Sequence, residues 1–263
     1  MSDSPLEQYA DKFDTAMGLA FLGKRAVFRG QDLHHDLKDL QWLELFLLGV
    51  TGRRFDNKQM RLLNFIWVST SYPDPRIWCN RVASLAGSAR SSAVLALCGA
   101  NSLTEADIYG VKPAMGGIDF LLRARQQLLQ GKELADIIDH EVDQNRIIYG
   151  YGRPLIGVDE RIPHVLAFAR ELDLADGPYL QLALEVEKHF IRNKQFGMNI
   201  IAIYAGLAAD LGFDARQFGL YCTLLFSAGM LPCYLDTLQR PPGTFLPVRC
   251  EEIDYQGPPP REW

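Results

Sequence analysis

The chain has 263 residues, 48% hydrophobic and 22% charged, the balance of an ordinary globular protein long enough for one large domain or two interleaved ones. Its net charge of -5 argues against nucleic acid as a partner, because binding a phosphate backbone needs a basic face. The five cysteines show no metal-ligand or redox spacing, which fits a reduced, cytoplasmic setting.

The first residues carry neither a basic nor an apolar leader pattern, so no signal peptide is expected. No apolar run reaches the roughly 18 residues of a membrane span, so no membrane association is expected. Arg25–Gly30 reads as a short strand or extended arm. Leu37–Leu48 reads as a helix apolar nearly all round, ended by Thr51-Gly52. Asp56 is placed to cap the next helix, with Met60, Leu63, Phe65 and Trp67 along one side. A turn follows at Ser71–Arg76. A single long helix is then expected from Trp78 to Cys98, rich in Ala, Ser and Gly, at the centre of a core or a subunit contact.

Met115-Gly-Gly-Ile-Asp119 reads as the opening of another helix, with Phe120, Leu121, Ala124 and Leu128 as its stripe and Gly131 as its stop. Leu134, Ile137, Ile138 and Val142 stripe the next. Tyr149-Gly-Tyr-Gly-Arg153 then gives a rigid turn. Its glycines allow positive φ and close approach, and Pro154 disfavours helix before it. With Asp159, Glu160 and Arg161 at a helix start, the stretch suits an anionic ligand, since arginine forks and free helix N–H groups both bind carboxylate or phosphate. The plainer alternative is a helix–helix connection with surface arginines.

Further stripes run through Ile162–Leu172 and Tyr179–Phe190. Ile200–Leu211 is almost wholly apolar and is expected to be deeply buried, with Gly212 ending it and Asp214 capping its successor. A last long helix spans about Arg216 to Gln239, with Pro232 able to kink it. Pro241–Trp263 reads as an extended arm. No run of alternating strands appears, so the class is all-α with at most one short hairpin.

The order of these features resembles the citrate synthase superfamily, in particular its short citryl-CoA lyase-like members. The features are Pro113-Ala-Met-Gly-Gly117, the Gly150-Tyr-Gly152 turn, Asp159-x-Arg161, Ala183–Lys188, a buried helix and a Pro-rich C-terminal arm. The resemblance runs from about Ala26 to the end. It implies an α-helical homodimer, with a large domain at 1–115 and 206–263 and a small domain at 116–205. It also implies C–C bond chemistry between an acyl-CoA and an oxo-acid in a cleft between the domains. No permanently bound cofactor or metal is implied; a coenzyme A thioester or a small di- or tricarboxylic acid would be substrate.

The same resemblance assigns roles. Gly116 and Gly117 fall near the thioester end of coenzyme A, and Gly150, Tyr151 and Gly152 where backbone meets its adenine. Arg161 and Arg240 match carboxylate-holding arginines, and Tyr72 stands at a substrate histidine. The family's two catalytic histidines and its aspartate are matched by Met115, Arg153 and Ile201. Methionine and isoleucine cannot move protons, and arginine stays charged. Asp119 is a candidate acquired base; its alternative is a first-turn carboxylate at a helix dipole. Tyr72, Arg76 and Asn80 are candidate replacement polar groups. A further carboxylate arginine is replaced by Phe226. The implied function is an acyl-CoA lyase or synthase with an altered catalytic set. The alternatives are a non-catalytic relative that binds coenzyme A or an organic acid, and chemistry that does not use coenzyme A.

Overall fold

A computed structural model describes residues 10, 13–107, 109–145, 147–152, 159–192 and 197–258. The chain divides into two compact units, Met1–Ile66 with Met115–Tyr221 and Trp67–Ala114 with Cys222–Trp263. The class is all-α, as the sequence indicates, apart from one small sheet.

The first unit begins with that sheet: β1 (Gly18–Phe21), β2 (Arg25–Phe28) and β3 (Gln31–Asp32), antiparallel in the order β1-β2-β3. It has three strands where the sequence indicated at most one short hairpin. Arg29, at φ 50°, turns the chain and donates through Nε and Nη2 to the carbonyl of Gly49, at 3.2 and 2.7 Å. Gly49 lies in α1 (Trp42–Thr51), where a Cβ would come within 2.7 Å of the Phe28 ring. The helix starts later than the apolar run indicated, because residues 37–40 are spent in turns; the Glu44 carboxylate accepts from the Gln41 N–H at the true start. Asp56 and Gln59 cap α2 (Asn57–Thr70) reciprocally, as expected.

The unit continues with α5 (Val111–Leu129), α6 (Leu134–Asn145), α7 (Arg161–Glu171), α8 (Pro178–Arg192) and α9 (Ile200–Asp210). Helix α9 is buried from Ala202 to Ala209 and packs on α7 and α8. The approach to α8 is close: a Cβ on Gly206 would lie 2.8 Å from Leu180 Cα. At the C-terminal end of α9, Arg53 donates to the carbonyls of Leu211 and Gly212 at 3.1 and 2.9 Å, a cation where the helix dipole is negative.

The second unit is built on α3 (Trp78–Ser88), α4 (Ala93–Ser102) and α11 (Ser227–Leu238), which pack on one another. The long helix expected from Trp78 to Cys98 is two. Arg90 sits at φ 62° between them and Ser92 Oγ accepts from Leu95 N–H to start α4. The guanidinium of Arg90 donates to the carbonyls of Gly87, Leu238 and Arg240, which offsets the strained backbone. Likewise the last long helix divides into α10 (Ala215–Leu225) and α11, with the break at Phe226 rather than at Pro232. Taken together, Ala215–Leu238 is long and apolar enough to cross a membrane by length and composition, contrary to the sequence expectation. It also carries core contacts: Tyr221 Oη donates to the Leu63 carbonyl at 2.5 Å and Thr237 Oγ1 to that of Ser84 at 2.7 Å.

The small residues of α3 serve contact with α11. A Cβ on Gly87 would lie 2.3 Å from the Tyr234 carbonyl oxygen and 2.4 Å from Thr237 Oγ1. Gly87→Ala is therefore expected to cost about 1–3 kcal/mol, as overpacking against rigid backbone does, read as a lowered midpoint in urea with an unchanged slope.

Candidate functional site

The sequence-assigned residues of the first unit gather around the start of α9. Helix α5 begins at Val111, so Met115-Gly-Gly is not the helix opening but its second turn. Gly110, at φ +94°, reverses the chain under Thr104, and Val111 N–H donates to the Thr104 carbonyl at 2.7 Å. Pro113 then stands in the first turn, where its missing N–H is not needed. Ala114 N–H is taken by the Gly110 carbonyl at 3.4 Å, so this helix start lies before the glycine pair and its Val111 and Ala114 donors are engaged by protein.

Both glycines face protein. A Cβ on Gly116 would lie 2.3 Å from Tyr149 Cδ2, and one on Gly117 would meet Ile201 Cγ2 and the Tyr149 carbonyl at 3.4 Å each. Gly150, at φ +96°, has its bare side 2.9 Å from the Ala202 backbone nitrogen. Met115 and Ile201 are half-buried, and Ile201 stands in the first turn of α9.

The turn at 149–152 is bound to the segment before α9. Tyr151 bridges to Met198, and Tyr151 N–H and Gly152 N–H donate to the carbonyls of Ile148 and Gly197 at 3.2 and 2.9 Å. Asn199 donates its N–H to the Gly150 carbonyl and its amide to that of Gly152, both at 2.8 Å, and its Oδ1 caps Ile201 N–H at 3.0 Å. The Tyr151 ring is buried against Phe190, and its hydroxyl donates to the Ala183 carbonyl at 2.8 Å. Burial, then the charge of Glu187, pushes its phenol well above the ordinary range. Arg153 lies outside the described residues.

Asp159 is the partner that sequence reasoning did not assign. Its side chain is fully buried and takes Arg161 in a two-pronged pair, at 2.8 Å from Nε and 2.7 Å from Nη2. It also accepts Ile200 N–H at 3.0 Å, so it fills the N-terminus of α9. Burial raises the carboxyl's pKa, but the Arg161 bond and charge and the backbone N–H groups of Ile200 and Arg161 outweigh it, and the net shift is downward. The available signal was the Asp-x-Arg spacing itself. The Arg161 side chain remains 21% exposed.

Asp119 is on the exposed face of α5, 2.8 Å from Arg123, which also grips Glu141 of α6 through two bonds of 2.9 Å. That is the geometry of a surface ion pair reaching the next helix, not of a sequestered base. In the second unit, Arg240 pairs with Asp236 at 2.7 Å, both well exposed. Tyr72 is half-buried, with its carbonyl 2.6 Å from Asn80 Nδ2. Arg76 is paired with Asp74 at 2.6 Å. Phe226 packs on Tyr109, ring centres 5.1 Å apart, and Tyr109 on Trp78 at 5.6 Å. Among the described residues no His, Cys, Asp and Glu cluster could hold a metal ion.

No protein-family model and no curated protein matches this sequence. Solved structures do. Citryl-CoA lyase from Hydrogenobacter thermophilus matches with a TM-score of 0.82 at 20% identity, over 95% of this chain and 97% of that one. ATP citrate lyase from Methanothrix soehngenii, in complex with citrate and coenzyme A, matches at 0.74 and 19% identity, over 94% of this chain and 42% of that one. Citrate synthase from Thermoplasma acidophilum, with carboxymethyl coenzyme A and oxaloacetate, matches at 0.65 and 15% identity, over 85% and 58%. The chain has the citrate synthase-like helical fold.

Because the Asp159 carboxyl sits below its usual pKa in the folded state, its contribution is present above pH about 4 and is lost as pH falls further. Asp159→Asn should lower stability by about 1–3 kcal/mol at pH 7, and this deficit should shrink toward pH 3 in denaturant melts of the two proteins.

Proposed function

We propose that this chain is an enzyme of the citrate synthase class. It makes or breaks a C–C bond in the coenzyme A thioester of a small carboxylic acid, with a proton-handling set unlike that of its relatives. The observation that carries this reading is the match to citryl-CoA lyase over nearly the whole of both chains, together with the Asp159–Arg161 pair at the start of α9. A guanidinium gripped on one edge by a buried carboxylate is oriented in advance and costs little entropy to engage. Its role here is to hold a substrate carboxylate, not to shuttle a proton.

Coenzyme A and its thioesters enter as substrate and product. On this reading the Gly150–Gly152 turn and Gly116-Gly117 act through shape. The N–H groups of Tyr151 and Gly152 are engaged by protein carbonyls, so they supply no donors to a nucleotide. Arg153 stands at the position of a catalytic histidine and could polarise a carbonyl without donating a proton. A second reading, a non-catalytic binder of coenzyme A or an organic acid, is favoured by one observation: Ile201 and Met115 carry no group able to move a proton.

The test is thermal stability of the purified protein with coenzyme A, citryl-CoA, citrate and oxaloacetate, followed by turnover of citryl-CoA. A ligand at 100 times its dissociation constant adds about 2.7 kcal/mol. Arg161→Ala should weaken binding of the carboxylate-bearing ligand about 10- to 100-fold, the value of a charged hydrogen bond. Lack of any shift with all four compounds would remove the reading; binding without turnover would select the second.

The reading also carries a homodimer. Trp78 and Leu85 of α3, Val94 and Leu95 of α4, and Leu231 and Leu235 of α11 are exposed on helices that pack together, an apolar surface suited to a second copy. One chain is 29.6 kDa, so sedimentation should give twice that mass, and Leu95→Asp should return it to the single-chain value.

A further inference from the structure

Tyr149 opens the turn that is pinned to helix α9, and the residues on either side of it are fixed. The Ile148 carbonyl accepts Tyr151 N–H at 3.2 Å, and the Gly150 carbonyl accepts Asn199 N–H at 2.8 Å. The ring is seated as well. Its edge lies against the bare Cα of Gly116 on α5, where a Cβ would come within 2.3 Å of Cδ2 and 2.9 Å of Cε2. The Tyr149 carbonyl and Ile201 Cγ2 flank Gly117 in the same way, each 3.4 Å from where its Cβ would stand. Tyr149 therefore borders the first turn of α9, whose Ile200 N–H is held by Asp159, the carboxylate that grips Arg161.

The phenol is the one part of this residue that the protein does not use. Among the described residues its oxygen has no hydrogen-bond partner. No buried side-chain oxygen or nitrogen among them lacks one, so the oxygen of half-buried Tyr149 opens to solvent. Neighbouring polar side chains are spent on backbone. Tyr151 Oη donates to the Ala183 carbonyl, the Asn199 amide serves Gly152 and Ile201, and Glu187 Oε1 accepts Met198 N–H at 3.1 Å. A ring held in place loses little further freedom when its hydroxyl meets a ligand. A phenol can donate to a carboxylate or a carbonyl oxygen.

We propose that Tyr149 is a ligand-binding residue whose hydroxyl donates a hydrogen bond to an oxygen of the bound acid. This rests on the ligand reading given above. The acid, and not the nucleotide of coenzyme A, is its partner, because Tyr149 borders the helix start that holds the Arg161 pair. Gly116 serves the ligand indirectly, as the seat that aims the ring.

Tyr149→Phe removes the hydroxyl and keeps the ring on Gly116. Without ligand, its melting midpoint should match the parent's, since no bond within the protein is lost. In titration calorimetry its affinity for citrate and for citryl-CoA should fall about tenfold, the value of one hydrogen bond to a charged group. Its affinity for free coenzyme A should not change.

Full affinity for both acids in Tyr149→Phe, while the parent binds them, would overturn the proposal and leave the ligand reading standing. So would an equal loss with free coenzyme A, or a lowered midpoint in the ligand-free variant, which would give the phenol a structural role. A parent protein that binds neither citrate nor citryl-CoA removes the ligand reading and this assignment together.

Discussion

The buried start of helix α9 is the constraint on which the first unit's candidate site depends. An apolar helix sunk in a core must still satisfy its first N–H groups, because no water reaches them. Here the donors go to two side chains. Asp159 takes Ile200 N–H, and Asn199 takes Ile201 N–H. Each acceptor brings a second segment with it: Asp159 fixes Arg161 at the head of α7, and Asn199 fixes the Gly150 and Gly152 carbonyls. Capping one helix thus places a guanidinium and a glycine-rich turn at the same spot.

The electrostatics follow from that arrangement. A carboxylate taken out of water is costly alone, and it stays ionised here because a guanidinium and two N–H groups surround it. The pair is therefore a fixed charge arrangement through the neutral range. It can orient an anion, but it offers no group that titrates near neutrality. The proton-moving step of a C–C lyase or synthase would need another group on this chain or on the substrate.

Much of the fold was legible because the stripes of α6, α7 and α8 are regular and the stops of α5 and α9, Gly131 and Gly212, adopt positive φ as glycines do. The breaks were less legible. Arg90 turns the chain at φ 62° with no glycine to mark it, and its backbone is compensated by carbonyls some 150 residues away. The split at Phe226 has no proline beside it either. Side-chain partnerships were hidden for the same reason: nothing near Asn80 in sequence shows that Gly229 closes the turn it holds.

The glycines teach the sharper lesson about the site. From sequence, Gly116, Gly117 and Gly150 look like places where a ligand meets backbone. In the structure each bare face meets Tyr149, Ile201 or Ala202. The rule that glycine permits close approach holds, but what approaches is the protein itself, the Tyr149 turn or helix α9. A ligand at this spot cannot take the place of those missing Cβ atoms. On the proposed reading, recognition in the first unit falls to side chains, and the oriented cation described there is Arg161. The likeness in glycine pattern thus speaks for the fold, while the proposed chemistry rests on polar side chains such as Arg161 and the buried carboxylate that holds it.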